Sequence, residues 1–175
     1  VSGGNTALVL VKNPKNFITL GSTIDDSAGE CFDKVAKGLG LGYPGGPEIE
    51  HLALGGNIEK FKLPMPLTKK NNCDFSFSGL KTAALNTIKN NKKTKSFLRD
   101  FSASFQHTVF KVLEIKILNG IKLIQKENIK INDFSICGGV AANKYLNTEL
   151  QKLISTKKLN FHHVPLSLCT DNAAM

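Results

Sequence analysis

The chain has 175 residues, of which 41% are hydrophobic, and its formal net charge is +9. This length and apolar content suffice to bury one sizeable core, and no run approaches the ~20 apolar residues that a membrane-spanning helix requires. The four cysteines are far apart and include no C-x-x-C pair, which argues against a zinc knuckle or a disulfide framework and favours a reduced compartment.

The first half of the chain predicts a β-hairpin followed by short helices. In chain order we expect strands over 7–11 and 17–20, a helix capped by Asp25 or Asp26 and ended by Gly38 or Gly40, a helix over 48–54 introduced by Pro47, a strand over 74–77 and a helix over 80–88. Carboxylates lie on one face of the helix after Asp26, and apolar side chains lie on the opposite face.

The second half of the chain alternates helices and strands. Ser96–Lys126 predicts one long helix or two abutting helices, apolar on more than one side and therefore central to the core. A strand over 129–137 leads into the turn Gly138–Gly139, and a helix over about 143–153 and a strand over 160–164 follow. This order of elements predicts an α/β fold with a β-hairpin at its front.

Glycine-rich turns suggest where a ligand binds. The loop between Gly38 and Pro47 follows the carboxylate-bearing helix, and Gly-Gly turns also occur at Gly3–Gly4 and at Gly138–Gly139. Such turns let the backbone approach a ligand closely and direct N–H groups at anions. Together they point to a substrate that carries a phosphate or a nucleotide.

Each of these signals alone has a plain structural alternative. Asp33 on the polar helix face is by itself most simply a solvated carboxylate, and the Gly138–Gly139 turn could merely pack a helix onto a strand. Asp171 lies where a helix begins, so an N-cap is the simplest role for it.

A basic cluster lies between the predicted helices of the middle of the chain. Its members are Lys81, Lys89, Lys92, Lys93, Lys95 and Arg99. Asp100 is the sole acidic residue beside them. The cluster could follow the phosphate backbone of a nucleic acid or could be a solvated linker. Arg99 is the single arginine among 23 basic residues, and such a preference for lysine over arginine is also typical of an AT-rich genome.

Five motifs in order resemble one family. They are SGGNT, TIDDSAGECFDKVAKGLGLGYPGGPEIE, DFSFSGLKTA, GGVAAN and LCTDNAAM. Their order and spacing resemble the tRNA threonylcarbamoyladenosine synthase family over the whole chain, and DFSFSGLKT resembles its bacterial and mitochondrial branch. The resemblance implies the two-lobed α/β fold of actin, the Hsp70 ATPase domain and sugar kinases. Residues 1–175 then correspond to the second, C-terminal lobe, cut at both ends and without the first lobe.

The resemblance also implies an activity. The family transfers a threonylcarbamoyl group from threonylcarbamoyl-adenylate to the exocyclic amine of the adenosine beside the anticodon of tRNA. By the family's pattern, Ser2, Gly3 and Gly4 hold the phosphate region of the adenylate, Asp33, Gly46 and Glu50 contact the nucleoside, and Asn143 adds a nucleotide contact. No side chain is an obvious general base, and the fragment alone is expected to be inactive.

The implied cofactor is one divalent metal ion, iron or zinc, bound by Asp171. Its two histidine ligands lie in an H-x-x-x-H motif of the first lobe, which this chain lacks. The chain's own histidines, which we expect to be structural or solvated, are His51, His107, His162 and His163. The implied partners are tRNA, an inactive paralogue and a small ATPase, without a membrane, in the bacterial cytoplasm or in mitochondria.

Three alternatives remain open. An ATP-dependent kinase or chaperone-like ATPase of the same superfamily would hydrolyse ATP without tRNA. A non-catalytic scaffold paralogue would be expected to lose Asp33, Asn143 or Asp171, and all three are present. An endopeptidase of the zinc class requires an H-E-x-x-H motif, which does not occur in the chain.

Overall fold

The computed structural model describes residues 1–169 and contains four strands and five α-helices in that range. The elements in chain order are β1 (Ala7–Asn13), β2 (Asn16–Ser22), α1 (Ala28–Leu39), α2 (Gly45–Ala53), α3 (Ser78–Lys89), α4 (Lys95–Lys126), β3 (Asp133–Ile136), α5 (Lys144–Thr156) and β4 (Asn160–His163). Short 3₁₀ helices span Gly139–Ala142 and Leu166–Leu168. Within residues 1–169 no helix combines the length and the hydropathy needed to cross a membrane.

The strands form two small sheets, so the predicted α/β class is confirmed. β1 and β2 pair in an antiparallel hairpin, and the side chain of Asn13 accepts a 3.0 Å hydrogen bond from the Lys15 backbone at its turn. β3 and β4 pair in parallel, with Asp133 opposite Asn160 and Ile136 opposite His163, and α5 connects them.

Helix α4 is the centre of the core. It is a single helix of 32 residues, which decides between the one-helix and two-helix predictions. Phe101, Phe105, Val109 and Leu113 are buried along it, and helices α2 and α5 pack against it. Because apolar side chains line several sides of α4, it can bury surface against helices and against the β1 hairpin at once.

The prediction that Asp25 or Asp26 caps α1 is wrong. Ser27 is the N-cap, and its hydroxyl oxygen accepts a 3.1 Å hydrogen bond from the Glu30 backbone. Asp25 instead accepts hydrogen bonds from the Phe77 backbone at 2.8 Å and from the Ser76 hydroxyl at 2.5 Å, at the start of α3. Gly40 ends α1 in the left-handed region, with φ of 84°, as predicted.

Asp26 is paired with two lysines. Its carboxylate lies 3.3 Å from the Lys34 ammonium and 2.5 Å from the Lys81 ammonium. Burial alone would raise the pKa of Asp26, but the hydrogen bonds from Lys81 and Lys34 hold it below its ordinary value. The pair with Lys81 therefore ties α1 to α3.

Three other boundaries differ from the predictions. α2 begins at Gly45, directly after Pro44, and not after Pro47. The strand expected over 74–77 is reduced to one bridge between Thr23 and Phe75. β3 starts only at Asp133, because the chain first completes the C-terminal turn of α4, in which Ile129 N–H donates to Ile124 O at 3.1 Å and Asn128 has a φ of 55°.

Lys116 is fully buried in the middle of α4. Its ammonium lies within hydrogen-bond distance of four oxygens of the segment before α3, which are Leu67 O at 2.9 Å, Lys70 O at 3.4 Å, Asn72 O at 3.2 Å and Asn72 Oδ1 at 2.8 Å. Burial lowers the pKa of Lys116. The lysine thus holds a stretch without regular secondary structure against the core helix.

We predict that Lys116→Met destabilises the chain by about 2–3 kcal/mol, because it removes the charged donor that bonds Leu67 O, Asn72 O and Asn72 Oδ1. Methionine keeps most of the aliphatic part of the lysine side chain, so most of the lost free energy of unfolding comes from removing the ammonium. Urea unfolding measures it. Lys122→Met, an exposed change on the same helix, should stay within about 0.5 kcal/mol, and an equal loss in both variants would contradict the role of Lys116.

Candidate functional site

The turn at the N-terminus lies between the start of α1 and the turn after β3. Ser2 closes it locally, because its hydroxyl accepts hydrogen bonds from the Gly4 backbone at 3.3 Å and from the Asn5 backbone at 3.1 Å. Gly3 and Gly4 are exposed, and a Cβ atom at either would meet no other atom within 4 Å. The two glycines therefore present bare backbone to solvent.

The first turn of α1 holds this N-terminal turn from one side. The Ser27 hydroxyl donates to Gly3 O at 2.7 Å, and the Gly29 backbone donates to Ser2 O at 3.1 Å. A Cβ atom on Gly29 would lie 2.6 Å from Ser2 O, so only glycine permits this approach. The orphan N–H groups that begin α1 are thereby satisfied by protein atoms.

The turn after β3 contacts the N-terminal turn from the other side. Gly138 adopts a φ of 94°, and a Cβ atom there would lie 2.5 Å from Val1 O. The Val140 backbone donates to the same Val1 oxygen at 3.1 Å. The two Gly-Gly turns are therefore in direct contact, although more than 130 residues separate them in sequence.

Asp33 connects α1 to the glycine-rich loop. Its carboxylate accepts a 2.7 Å hydrogen bond from the Gly45 backbone at the start of α2. Gly46 is open, with no atom within 4 Å of a hypothetical Cβ. Asp33 also lines a small cleft of about 270 Å³ with Tyr43, whose side chain is 86% exposed. Asp33 is thus both a helix anchor and a group at a cleft.

Glu50 of α2 and the N-cap residue Asn143 both bond to the first turn of α5. The Glu50 carboxylate accepts a 2.7 Å hydrogen bond from the Lys144 backbone, which joins α2 to α5. Asn143 is buried and caps α5, since its side-chain oxygen accepts from Leu146 N at 2.8 Å. Its amide group donates to the Gln106 side chain at 3.4 Å. Both polar ends of Asn143 therefore have protein partners.

These contacts form one continuous series, which we call the contact ring. It runs through Ser2, Gly3, Gly29, Asp33, Gly45, Glu50, Lys144, Asn143 and Gly138 and returns to Val1 and Ser2. Gly29 and Asp33 lie one helical turn, about 6 Å, apart on α1. The predicted substrate residues among 1–169 thus belong to the ring or adjoin it in sequence. Asp171 lies outside the described residues.

The ring leaves some backbone donors available. The starts of α1 and α5 are closed by Ser27, Glu50 and Asn143, whereas no described residue accepts a hydrogen bond from the N–H groups of the exposed Gly3 and Gly139. Anion binding beside α1 and α5 would therefore rely on the glycine turns and not on these two helix termini.

The described residues do not form a metal site by themselves. Within 1–169 no three His, Cys, Asp or Glu side chains are grouped in a way that could hold a metal ion. His107 bonds to Tyr145, His162 lies 2.8 Å from the Asp133 carboxylate, and His163 packs edge-on against Phe161. His51 is exposed on α2.

Half of the basic cluster is already engaged. Lys81 pairs with Asp26, Lys93 donates to Gly38 O at 2.7 Å, and Arg99 lies 3.2 Å from Asp100. The other members, Lys89, Lys92 and Lys95, are exposed and have no ion pair with the part of the chain described here. These three are the lysines that remain for a phosphate backbone.

Three residues at the ring were not predicted from the sequence: Ser27, Gly29 and Tyr43. Ser27 had a signal, because Ser27 and Glu30 have the spacing of a capping box. Gly29 and Tyr43 had weaker signals, a glycine inside a helix and an aromatic residue within a glycine-rich loop. Their importance follows from close approach and exposure, which depend on tertiary packing.

Comparison with known proteins decides the family. A family model described as tRNA N6-adenosine threonylcarbamoyltransferase matches residues 1–175. The chain belongs to the tRNA N6-adenosine threonylcarbamoyltransferase family. The resemblance seen in the sequence motifs is thereby confirmed.

Curated relatives with this name occur in several bacteria. The chain is 46% identical to the relative from Wolbachia sp. subsp. Brugia malayi, over 100% of the chain and 51% of the relative. It is 46% identical to the one from Thermosipho africanus, over 100% and 52%, and 47% identical to the one from Orientia tsutsugamushi strain Ikeda, over 100% and 53%. The chain spans about half the length of these relatives.

We predict that His107 lowers the stability of the chain in mild acid. Its imidazole lies 2.5 Å from the Tyr145 hydroxyl, and burial, followed by the nearby Lys111 charge, lowers the pKa of His107 below 6.5. Because the unfolded chain then binds a proton more readily, stability falls as the pH drops through 6.5 towards the lower pKa of the folded state. Thermal unfolding between pH 8 and pH 5 measures the loss.

The matched variants separate this effect from general acid sensitivity. His107→Asn places an amide group, which can donate or accept, where the ring Nδ1 contacts the Tyr145 hydroxyl, so it should keep the fold and flatten the pH dependence. His51→Asn, at an exposed site on α2, should leave the pH dependence as it is. An unchanged profile in His107→Asn would show that another group titrates.

Proposed function

We propose that this chain is the nucleotide-binding half of an enzyme that transfers a threonylcarbamoyl group to tRNA. The observation that supports the proposal is the contact ring, because Ser2, Gly3, Gly4, Asp33, Gly46, Glu50 and Asn143 all belong to it or adjoin it. The named relatives support the reaction class. The acceptor is the exocyclic amine of the adenosine beside the anticodon, and the donor is threonylcarbamoyl-adenylate.

The residues of the ring suit the donor nucleotide. The N–H groups of the glycine turns would bind the phosphate, and the Asp33 carboxylate, beside an open cleft, would accept hydrogen bonds from ribose hydroxyls. In the transfer, the amine nitrogen forms a bond to the carbamoyl carbon while the bond from that carbon to the phosphate oxygen breaks, so that AMP leaves and the nitrogen gives up one proton to solvent. Holding both substrates in place supplies much of the rate enhancement, since the amine is weakly basic.

We further propose the remainder of the machinery for the longer polypeptide. Residues 1–175 would be the second lobe of a two-lobed fold related to actin, the Hsp70 ATPase domain and sugar kinases. Asp171 would bind one iron or zinc ion together with two histidines outside this chain. An inactive paralogue and a small ATPase would assist the reaction in the bacterial cytoplasm, with a mitochondrial location as the alternative.

A charge-only substitution tests the nucleotide site. In the full-length protein, Asp33→Asn keeps an oxygen that can accept from Gly45 N but removes the charge. Losing a hydrogen bond to a charged group costs about 1.5–3 kcal/mol, so we expect adenylate affinity to fall about 10- to 150-fold with the melting temperature nearly unchanged. Calorimetry measures affinity, and transfer of threonylcarbamoyl to tRNA measures activity.

The control is Glu127→Gln, an exposed carboxylate at the C-terminal end of α4 that takes part in none of the ring contacts. It should retain both affinity and transfer. Undiminished adenylate affinity in Asp33→Asn would remove Asp33 from the site, and full-length protein that hydrolyses ATP without modifying tRNA would favour the kinase or ATPase alternative.

The exposed lysines test the RNA surface. Replacing Lys89, Lys92 and Lys95 by Gln in the full-length protein should weaken tRNA binding and reduce the slope of log affinity against log salt by about 2–3 units, since each phosphate contact releases close to one counterion. Lys122, Lys126 and Lys130 are also exposed and carry the same charge. Lys95 and Lys126 are about 47 Å apart along α4, so this second triple change is the matched control.

The two triple variants separate a binding surface from net charge. If both reduce the slope equally, the total charge and not this surface determines binding. If neither changes it, the tRNA surface lies elsewhere in the longer polypeptide. Adenylate affinity should stay constant in both variants.

A further inference from the structure

The start of helix α5 is held by two neighbouring residues of the core helix α4. The Gln106 side-chain oxygen accepts a 3.4 Å hydrogen bond from the Asn143 amide, and the ring nitrogen of His107 lies 2.5 Å from the Tyr145 hydroxyl. Three residues further along α4, Phe110 packs edge-on against the Tyr145 ring, with 6.3 Å between the ring centroids. α4 therefore contacts α5 both at its N-cap residue and within its first turn.

Gln106 is a polar side chain in an apolar part of α4. It is 5% exposed, and its neighbours Phe105 and Val109 on the same helix are fully buried. Burying an amide costs free energy unless protein hydrogen bonds replace those to water. In the described part of the chain the partner of the Gln106 side chain is Asn143. The contact with Asn143 therefore accounts for a polar side chain at this place.

The hydrogen bonds decide how the Asn143 amide is oriented. A backbone N–H can only donate, so the Asn143 atom that Leu146 N bonds at 2.8 Å is the oxygen. The Asn143 nitrogen then faces Gln106, which must offer its own oxygen because an NH₂ group donates. Bonds at both ends fix the plane of the Asn143 amide. Gln106 takes one of the two hydrogens on the nitrogen, and within residues 1–169 no second acceptor bonds it.

We propose that Gln106 is a positioning residue, which orients the Asn143 amide so that its remaining N–H is presented to an acceptor atom of the bound adenylate. Gln106 would act through Asn143 and would not touch the ligand itself, so its role rests on the proposed nucleotide-binding function. A binding group works best when a neighbouring hydrogen bond holds it in the productive orientation. Residue 106 then needs only an acceptor oxygen, which a glutamate side chain also supplies.

Substitutions in the full-length protein separate the acceptor at residue 106 from the donor at residue 143. Gln106→Met keeps the length of the side chain and removes the acceptor, and Gln106→Leu is a second variant without one. Gln106→Glu keeps an acceptor oxygen. Asn143→Ser keeps an oxygen that can cap α5 but removes the amide nitrogen. The matched control is Gln125→Met, an exposed change on the same helix.

Calorimetry with AMP measures affinity well below the melting temperature of each variant. We expect Gln106→Met to weaken AMP binding about 5- to 10-fold and to raise the KM for the adenylate donor, and Asn143→Ser to weaken binding about 10-fold. Gln106→Glu should stay within about 3-fold of the parent protein, and Gln125→Met should bind as the parent does. Because Gln106 acts through Asn143, adding Gln106→Met to Asn143→Ser should cause little further loss.

The outcomes distinguish this role from the nucleotide site itself. Parental AMP affinity in Gln106→Met together with reduced affinity in Asn143→Ser would overturn the role of Gln106 and leave the site intact. Unchanged affinity in Asn143→Ser would overturn the role of Gln106 and also remove Asn143 from the site. A loss in Gln106→Glu as large as in Gln106→Met, or full additivity of the two changes, would show that Gln106 supports the fold and does not position Asn143.

Discussion

The burial of one helix on several sides is the constraint on which the remaining structure depends. α4 carries apolar side chains around most of its circumference, so helices α2 and α5 and the β1 hairpin can each pack against it. Even its buried lysine serves this arrangement, because Lys116 holds an irregular segment through carbonyl oxygens. A helix with apolar side chains on one side only could not have packed against the two sheets and the other helices at once.

The contact ring rests on backbone contacts supported by a few carboxylates and caps. Val1 and Ser2 present carbonyl oxygens to Val140 and Gly29, and glycines supply the close approach. Asp33 and Glu50 each accept from the first residues of a helix, so both help to set helix positions as well as lying at the surface. This double role explains how a carboxylate on a polar helix face can be oriented without a neighbouring charge.

Local periodicity predicted the hairpin, the long helix and the α/β class, because each depends on side chains close in sequence. The cap of α1 was not predictable in the same way. Asp25, Asp26 and Ser27 are all good caps, and only the packing of α3 brings Phe77 N to Asp25. The predicted start of β3 was wrong because the C-terminal turn of α4 extends past Asn128. Ser2, Gly3, Asp33, Glu50 and Asn143 were predicted from family motifs, whereas their contacts come from the fold, and the metal role of Asp171 stays a prediction.

The bonds that close the ring join residues very far apart along the chain. Val1 meets Cys137 across 136 positions, and Glu50 meets Lys144 across 94. Contacts of such separation carry a large loop-closure entropy and form after local helices and hairpins. The contact ring is therefore assembled late in folding, and a nucleotide bound there, as proposed, would hold together segments that are far apart in sequence.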